Sequence, residues 1–172
     1  MKSFENYLAE DDFNSSSGAI FSLGRRYRYV LWRNWNSKPK ITFVGLNPST
    51  ADENFDDPTV RRCVGYARQW GYGGVFVLNL FAYRGADPQI LKSVINPVGS
   101  KNDQFLKRIS EKTNLTVIAW GINGRYLDRD KIVLPLLLNV HYLKLTQEGF
   151  PQHLLYLKND LKPKVWEFKC KI

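Results

Sequence analysis

An amide held between a glycine and a proline is a dipole with a fixed direction. The loop Gly45-Leu46-Asn47-Pro48-Ser49-Thr50 has that arrangement. Glycine permits a tight exit from the preceding Ile41-Thr42-Phe43-Val44 run, and proline stiffens the turn. The amide of Asn47 would then be able to orient water or a substrate. Asn-Pro is also ordinary turn chemistry, so the loop alone leaves a plain turn open. Two histidines complete the set of candidate acid–base groups. His141 falls within a strand-like run and reads as structural. His153 lies on a loop after such a run, where a working imidazole is plausible. The two are not spaced as metal ligands. Cys63 and Cys170 form no CxxC pair, which excludes a zinc finger or a four-cysteine iron–sulfur site within the chain. There is no P-loop and no GxSxG elbow. Gly71-Tyr72-Gly73-Gly74 precedes a strand, whereas a dinucleotide fingerprint must follow one. No metal and no cofactor are expected.

These residues need elements to hold them. After an irregular arm over 1–18, two short aromatic runs turn at Gly24-Arg25 and predict an N-terminal hairpin. Residues 19–35, with Tyr27-Arg28-Tyr29-Val30-Leu31-Trp32 as the second run, are rich in Arg, which suits either phosphate contact or an edge hairpin kept soluble by charge. Buried strands are predicted at 41–44, 75–80, 115–120 and 140–145. Between them fall helices at 58–70, capped by Asp57 with Pro58 in the first turn, at 99–112, and at 125–138, the last interrupted by Pro135. Alternation at this spacing predicts a single α/β domain: a three-layer αβα sandwich around a mostly parallel four-stranded sheet, plus the hairpin. Ligands of such sheets bind beyond the carboxyl ends of the strands. That geometry singles out Asn47, Asn79, Gly121 with Asn123, and the loop from Gly149 to Leu157.

The bulk composition narrows the partners. The chain has 172 residues and a formal net charge of +9, with five Trp, nine Tyr and ten Phe. Such a field favours polyanions, and the aromatics suit nucleic acid. Acids and polar residues throughout Met1 to Leu23 argue against a signal peptide. No apolar run approaches the roughly 20 residues of a membrane span. Two cysteines suit a reducing cytoplasm. Nothing calls for an obligate dimer, so a monomer is expected.

In order along the chain, four stretches resemble the uracil-DNA glycosylase superfamily. Phe43-Val44-Gly45-Leu46-Asn47-Pro48 is similar to its first motif, nearest to the mismatch-specific branch. Gly74-Val75-Phe76-Val77-Leu78-Asn79 resembles the strand that ends in a base-reading Asn. Val117-Ile118-Ala119-Trp120-Gly121 resembles the third strand and its glycine. Gly149-Phe150-Pro151-Gln152-His153-Leu154-Leu155 resembles the His-bearing second motif. The Leu-Asn-Pro-Ser-Thr-Ala and Asp-Asp-Pro-Thr stretches are also similar to those of a bacterial family of unassigned function.

The resemblance implies a monofunctional glycosylase acting on a base flipped out of DNA. Asn47 would position the attacking water, and His153 would stabilise the departing anionic base. Asn79 would read the Watson–Crick edge in a pocket lined by Phe43, Leu46, Pro48 and Ser49. Gly121 and Gln152 would meet the DNA, and Leu154 or Leu155 would wedge into the base stack. Arg61, Arg62, Arg68, Arg84 and Arg125 are candidates for phosphate contact, each of which would steepen the salt dependence of binding.

Two departures from the uracil-specific branch matter. An Asp of that branch is replaced by Asn47, and an amide cannot take a proton from water. Asp52 is the leading candidate to help, with Glu53, Asp56 and Asp57 on the same loop; helix capping is the other role open to Asp57. A bulky Tyr that excludes C5 substituents is replaced by Ser49. A C5-modified pyrimidine, of the kind found in phage DNA, is therefore the expected substrate, with a defence role. Uracil or mismatch repair, a nucleoside or nucleotide hydrolase, and an inert nucleic-acid-binding module are the alternatives.

Overall fold

The computed structural model describes residues 13–167. Of the expected arm, residues 1–12 lie outside the described range, and Ser17 and Gly18 already belong to the first strand. Among the described residues seven strands form one mixed sheet: β1 (Ser17–Phe21), β2 (Arg28–Asn34), β3 (Lys40–Gly45), β4 (Gly74–Asn79), β5 (Thr116–Ile118), β6 (Val140–Tyr142) and β7 (Lys164–Val165). Their order is β1-β2-β4-β3-β5-β6-β7. The pairings β4–β3, β3–β5 and β5–β6 are parallel, while β1–β2, β2–β4 and β6–β7 are antiparallel.

The sheet is thus larger and more mixed than the four parallel strands expected. The hairpin is not an appendage. Leu31 and Trp32 of β2 pair with Val77 and Phe76 of β4, so β2 is interior and only β1 is exposed at that edge. Arginine on β2 therefore cannot be explained as edge protection. At the other edge, β7 was not predicted because two exposed residues carry no hydrophobic pattern.

Strand periodicity sorts the core into two layers. Val44, Phe76, Leu78 and Ile118 face one side, and Ile41, Phe43, Val75, Val77 and Val117 face the other. Helix α1 (Pro58–Gln69) covers the second side with Val60, Cys63, Tyr66 and Ala67, spaced as one helical face. Helix α2 (Asn102–Lys112) covers the first with Phe105, Leu106 and Ile109. Asp57 caps α1, its Oδ1 accepting from the Val60 N–H at 2.9 Å, with Pro58 in the first turn as expected.

The helix expected over 125–138 is broken into 3₁₀ turns at Ile122–Asp128 and Leu134–Leu136 around the short α3 (Arg129–Val133). Leu127 and Asp128 take positive φ, which no continuous helix tolerates. Arg129 of α3 explains what the broken segment achieves. Its guanidinium donates to the Leu80 carbonyl at 3.0 and 3.2 Å and pairs with Asp103 at 2.5 Å. Asn102 adds donors to the carbonyls of Asn79 and Leu80, both at 2.9 Å. The exit of β4 is pinned from behind, and with it the position of Asn79.

Candidate functional site

Beyond the carboxyl ends of β3, β4 and β5 lies a cavity of about 520 Å³, within the range of small-molecule sites. Its wall includes Phe43, Leu46, Asn47 and Ser49 from the first strand and loop, and Asn79 from the end of β4. Gly121 and Asn123 follow β5, and His153, Leu154 and Leu155 close the far side. Four segments distant in sequence meet here because parallel strands deliver their exits to one edge. Gly121 has φ 68, a left-handed conformation suited to glycine, and its N–H donates to the Pro151 carbonyl at 2.7 Å. That bond ties the β5 exit to the histidine loop.

Three side chains of the wall are oriented by their own hydrogen bonds. The Asn47 Nδ2 donates to the Gly85 carbonyl at 2.9 Å. The amide is thereby fixed through its nitrogen, and its Oδ1 is left to accept from a ligand or water. Asn79 is fixed the opposite way: its Oδ1 accepts from Arg28 Nη2 at 3.3 Å, which leaves its NH2 as the free end. His153 accepts the Leu155 N–H on Nδ1 at 3.2 Å. The proton of the neutral ring then resides on Nε2, which is a donor. Burial holds the His153 pKa below its usual value of 6.5, with Asp57 opposing that shift. The ring is neutral at pH 7.

Two charges belong to the cavity. Asp57 is the one carboxylate among its described lining residues. Both of its oxygens accept backbone N–H groups, Oδ1 from Val60 and Oδ2 from Ala51 at 3.4 Å. Arg28 is 2 % exposed. Its Nη1 donates to the Ala51 carbonyl at 3.0 Å, and its Nε has no partner among the described residues. Desolvation lowers its pKa to about 10, with Asp57 pulling the other way, so it stays a cation at neutral pH. Sequence reasoning noticed that β2 is Arg-rich but gave Arg28 no place in the site. A charge at the head of the apolar Tyr29-Val30-Leu31-Trp32 run was the available signal. Cys63 also lines the wall, but burial pushes its thiol up, so it is no nucleophile.

Several candidates sit elsewhere. Asp52 does not line the cavity. Its Oδ1 accepts the N–H groups of Asn54 and Phe55 at 2.8 and 2.9 Å, which closes a tight loop turn and lowers its pKa. The carboxylate at the cavity is Asp57 instead. Glu53 and Asp56 pair with Arg25 and Arg33. Leu154 is 2 % exposed and packs in the α1 core layer, so it is not available as a wedge. Leu155 is half-buried at the wall, and Tyr156 beside it is 88 % exposed. Pro48 is buried and accepts the Gly85 N–H at 2.8 Å, shaping the loop rather than lining the cavity. Gln152 is half-buried, its backbone N–H bonded to the Lys144 carbonyl.

The arginines divide by environment. Arg62 clamps α1 to the last segment through Asn159 and the Leu157 carbonyl, and also bonds Tyr66. Arg84 stacks over Phe21 and bonds the Arg25 and Thr50 carbonyls at 3.3 and 3.4 Å. Both have structural partners. Arg61, which bonds the Asp56 carbonyl, Arg68, which lies over Trp35, and Arg125 are exposed. His141 bonds the Asn139 carbonyl through Nδ1 at 2.8 Å, away from the cavity, as expected of a structural histidine.

Among the described residues no group of His, Cys, Asp and Glu could hold a metal ion, and no helix is long and apolar enough to cross a membrane. No curated protein and no solved structure matches the chain. A protein family does match, over residues 28–155, and is described as a protein of unknown function (DUF1643). Its span opens on Arg28 and closes on Leu155, the first and last residues of the cavity wall. The chain belongs to the DUF1643 family.

Proposed function

We propose that this chain is a monofunctional DNA glycosylase that hydrolyses the N-glycosidic bond of a flipped-out pyrimidine and leaves an abasic site. One observation carries the reading. Asn47, Asn79 and His153 line a single cavity, each with the end a pyrimidine nucleotide needs left unused. The net charge of +9 supports a DNA partner, and a monomer acting alone fits the reading.

The chemistry follows from the donors and acceptors. Water held on Asn47 Oδ1 attacks C1′ of the sugar. The C1′–N1 bond breaks, and the electron pair leaves with the base as an anion. Nε2–H of neutral His153 donates to the O2 of that base, stabilising the developing charge. The proton released by the water passes to solvent. Asn47 cannot take it, and Asp57 contributes negative charge opposite the oxocarbenium sugar. Leu155 and Tyr156 are the candidate wedge that holds the vacated stack open.

Ser49 presents little bulk to the base, which favours a C5-modified pyrimidine and a role against modified phage DNA. Oligonucleotides carrying uracil, thymine mismatches and C5-modified pyrimidines test this, with alkaline cleavage revealing abasic sites. Excision of a modified base, lost in Asn47→Ala, is the expected result. Cleavage of uracil alone would overturn the modified-base substrate. No abasic site on any single- or double-stranded substrate would overturn the glycosylase.

A further inference from the structure

A pyrimidine presents one of two edges to a reader. A 4-keto ring offers an acceptor at O4 beside a donor at N3–H. A 4-amino ring offers a donor at N4 beside an acceptor at N3. An asparagine amide carries one carbonyl and one NH2, so it can read either edge by turning over about its last torsion. Selectivity then depends on what stops it from turning.

In this chain the stop is Arg28. Its Nη2 donates to Asn79 Oδ1 at 3.3 Å. A reversed amide would set its NH2 against a guanidinium N–H, two donors with no acceptor between them. Both residues are buried, so solvent cannot relieve that mismatch. Arg28 cannot easily yield. Its Nη1 is held by the Ala51 carbonyl, and its body lies under the cavity wall. The nearby carboxylate of Asp57 is engaged by two backbone N–H groups, and Arg28 Nε has no partner among the described residues. On its other side, the Asn79 NH2 lies over Gly45: a β-carbon at that position would sit 3.1 Å from Nδ2. Gly45 lines the cavity, so the NH2 end is the one exposed toward a ligand. The second lone pair of Oδ1 stays available beside it.

We propose that Arg28 is the specificity-determining residue of this cavity: by fixing one orientation of Asn79 it selects 4-keto pyrimidines over 4-amino ones. The selection rests on the reading that the cavity takes a flipped-out pyrimidine, and it narrows the substrate to the uracil and thymine type of ring, C5-modified or not.

The test uses free bases and the ¹⁵N-labelled full chain. Uracil and cytosine are titrated separately while the Asn79 side-chain NH2 and Arg28 Nε–H resonances are followed. Uracil is expected to move both and to bind at least about tenfold more tightly than cytosine. In Arg28→Met the amide is free to turn, so uracil weakens, cytosine strengthens, and their ratio falls toward one. A merely structural arginine would weaken both bases together and leave the ratio unchanged, which would overturn the proposal. Equal binding by the unsubstituted chain, or no response at Asn79 to millimolar uracil, would overturn it too. Those outcomes need no folded variant. Gly45→Ala gives a second check, with uracil expected to weaken as the NH2 is crowded. No bond is cut in these titrations. A chain that excises nothing can still show the selectivity, and a chain that excises a base yet binds uracil and cytosine equally keeps the glycosylase reading and loses this one.

Discussion

Asp57 holds two jobs that a pair of substitutions can separate. Its Oδ1 caps α1 at Val60 N, and its Oδ2 accepts the N–H of Ala51, a residue 1 % exposed. Asp57→Ala removes both acceptors. A lost N-cap costs about 1 kcal/mol. The stranded amide of Ala51 adds roughly another 1 kcal/mol, at the low end for a buried donor because its bond is long. Urea unfolding of Asp57→Ala should therefore show a loss of about 2 kcal/mol. Asn is as good a cap as Asp, so Asp57→Asn should lose less than about 1 kcal/mol.

What Asp57→Asn does remove is the charge. Asp57 raises the pKa of His153 against the desolvation that lowers it. Without that charge His153 becomes harder to protonate, and its pKa falls further. The proposed donor is the neutral ring with its proton on Nε2, so excision should fail as pH falls and His153 gains a second proton. The acid limb should then move to lower pH in Asp57→Asn. Above that limb the rate should drop by about tenfold or more, because the oxocarbenium loses its counter-charge. An unmoved acid limb with an unchanged rate would refute the reasoning and leave Asp57 as a cap only. The same lowered pKa links to stability. Its contribution is complete above the ordinary pKa of 6.5 and is lost as pH falls through the folded value.

Three further outcomes are expected. Asn47→Ala should lower the excision rate by about 10²-fold through lost positioning of the water, with urea unfolding changed by only about 1 kcal/mol for the Gly85 carbonyl it strands. Leu154→Ala should destabilise by about 2–5 kcal/mol. Tyr156→Ala should stay within about 0.5 kcal/mol in unfolding yet weaken duplex binding in an electrophoretic shift assay. Equal effects of those two on stability would place the wedge wrongly. Arg129→Met should cost about 2–3 kcal/mol, because Leu80 loses its charged donors. Its excision should fall even under conditions where circular dichroism shows it folded, since the exit of β4 that carries Asn79 is then held from behind by Asn102 alone.

Much of this molecule was legible before any coordinates. The β-branched runs at 41–44 and 75–79 form strands because their residues fill both core layers, and Asp57-Pro58 starts α1 because its types suit a cap and a first turn. The rule that parallel strands deliver ligands to their carboxyl ends brought Asn47, Asn79, Gly121 and His153 to one wall. What failed was reading from local chemistry alone. The 125–138 segment has helical periodicity, but Arg129 must reach back to Leu80, and the chain bends through positive φ at Leu127 and Asp128 to let it. Asp52 and Asp57 look alike in sequence. One faces its own loop turn and the other faces the cavity, a difference set by where α1 docks.

Arg28 was hidden for a related reason. In sequence it belongs to a hairpin, and an arginine in a hairpin suggests solvent or phosphate. It becomes a wall residue only because β2 pairs with β4, and that pairing joins residues 40 to 46 positions apart. Placing β2 there puts a guanidinium beside the last side chain of β4, on the side opposite Gly45. A buried cation without an ion pair among the described residues costs free energy that no fold needs to bear. Packing alone would favour an apolar residue at that point. The cost is offset if the cation fixes an amide that must read one edge and if the ligand becomes an anion as it leaves. The first condition is met by any cavity that reads one edge, and only the second requires a reaction. The position of Arg28 is therefore a stronger sign of a ligand-reading site than the Asn47 loop, whose residues would also make an ordinary turn.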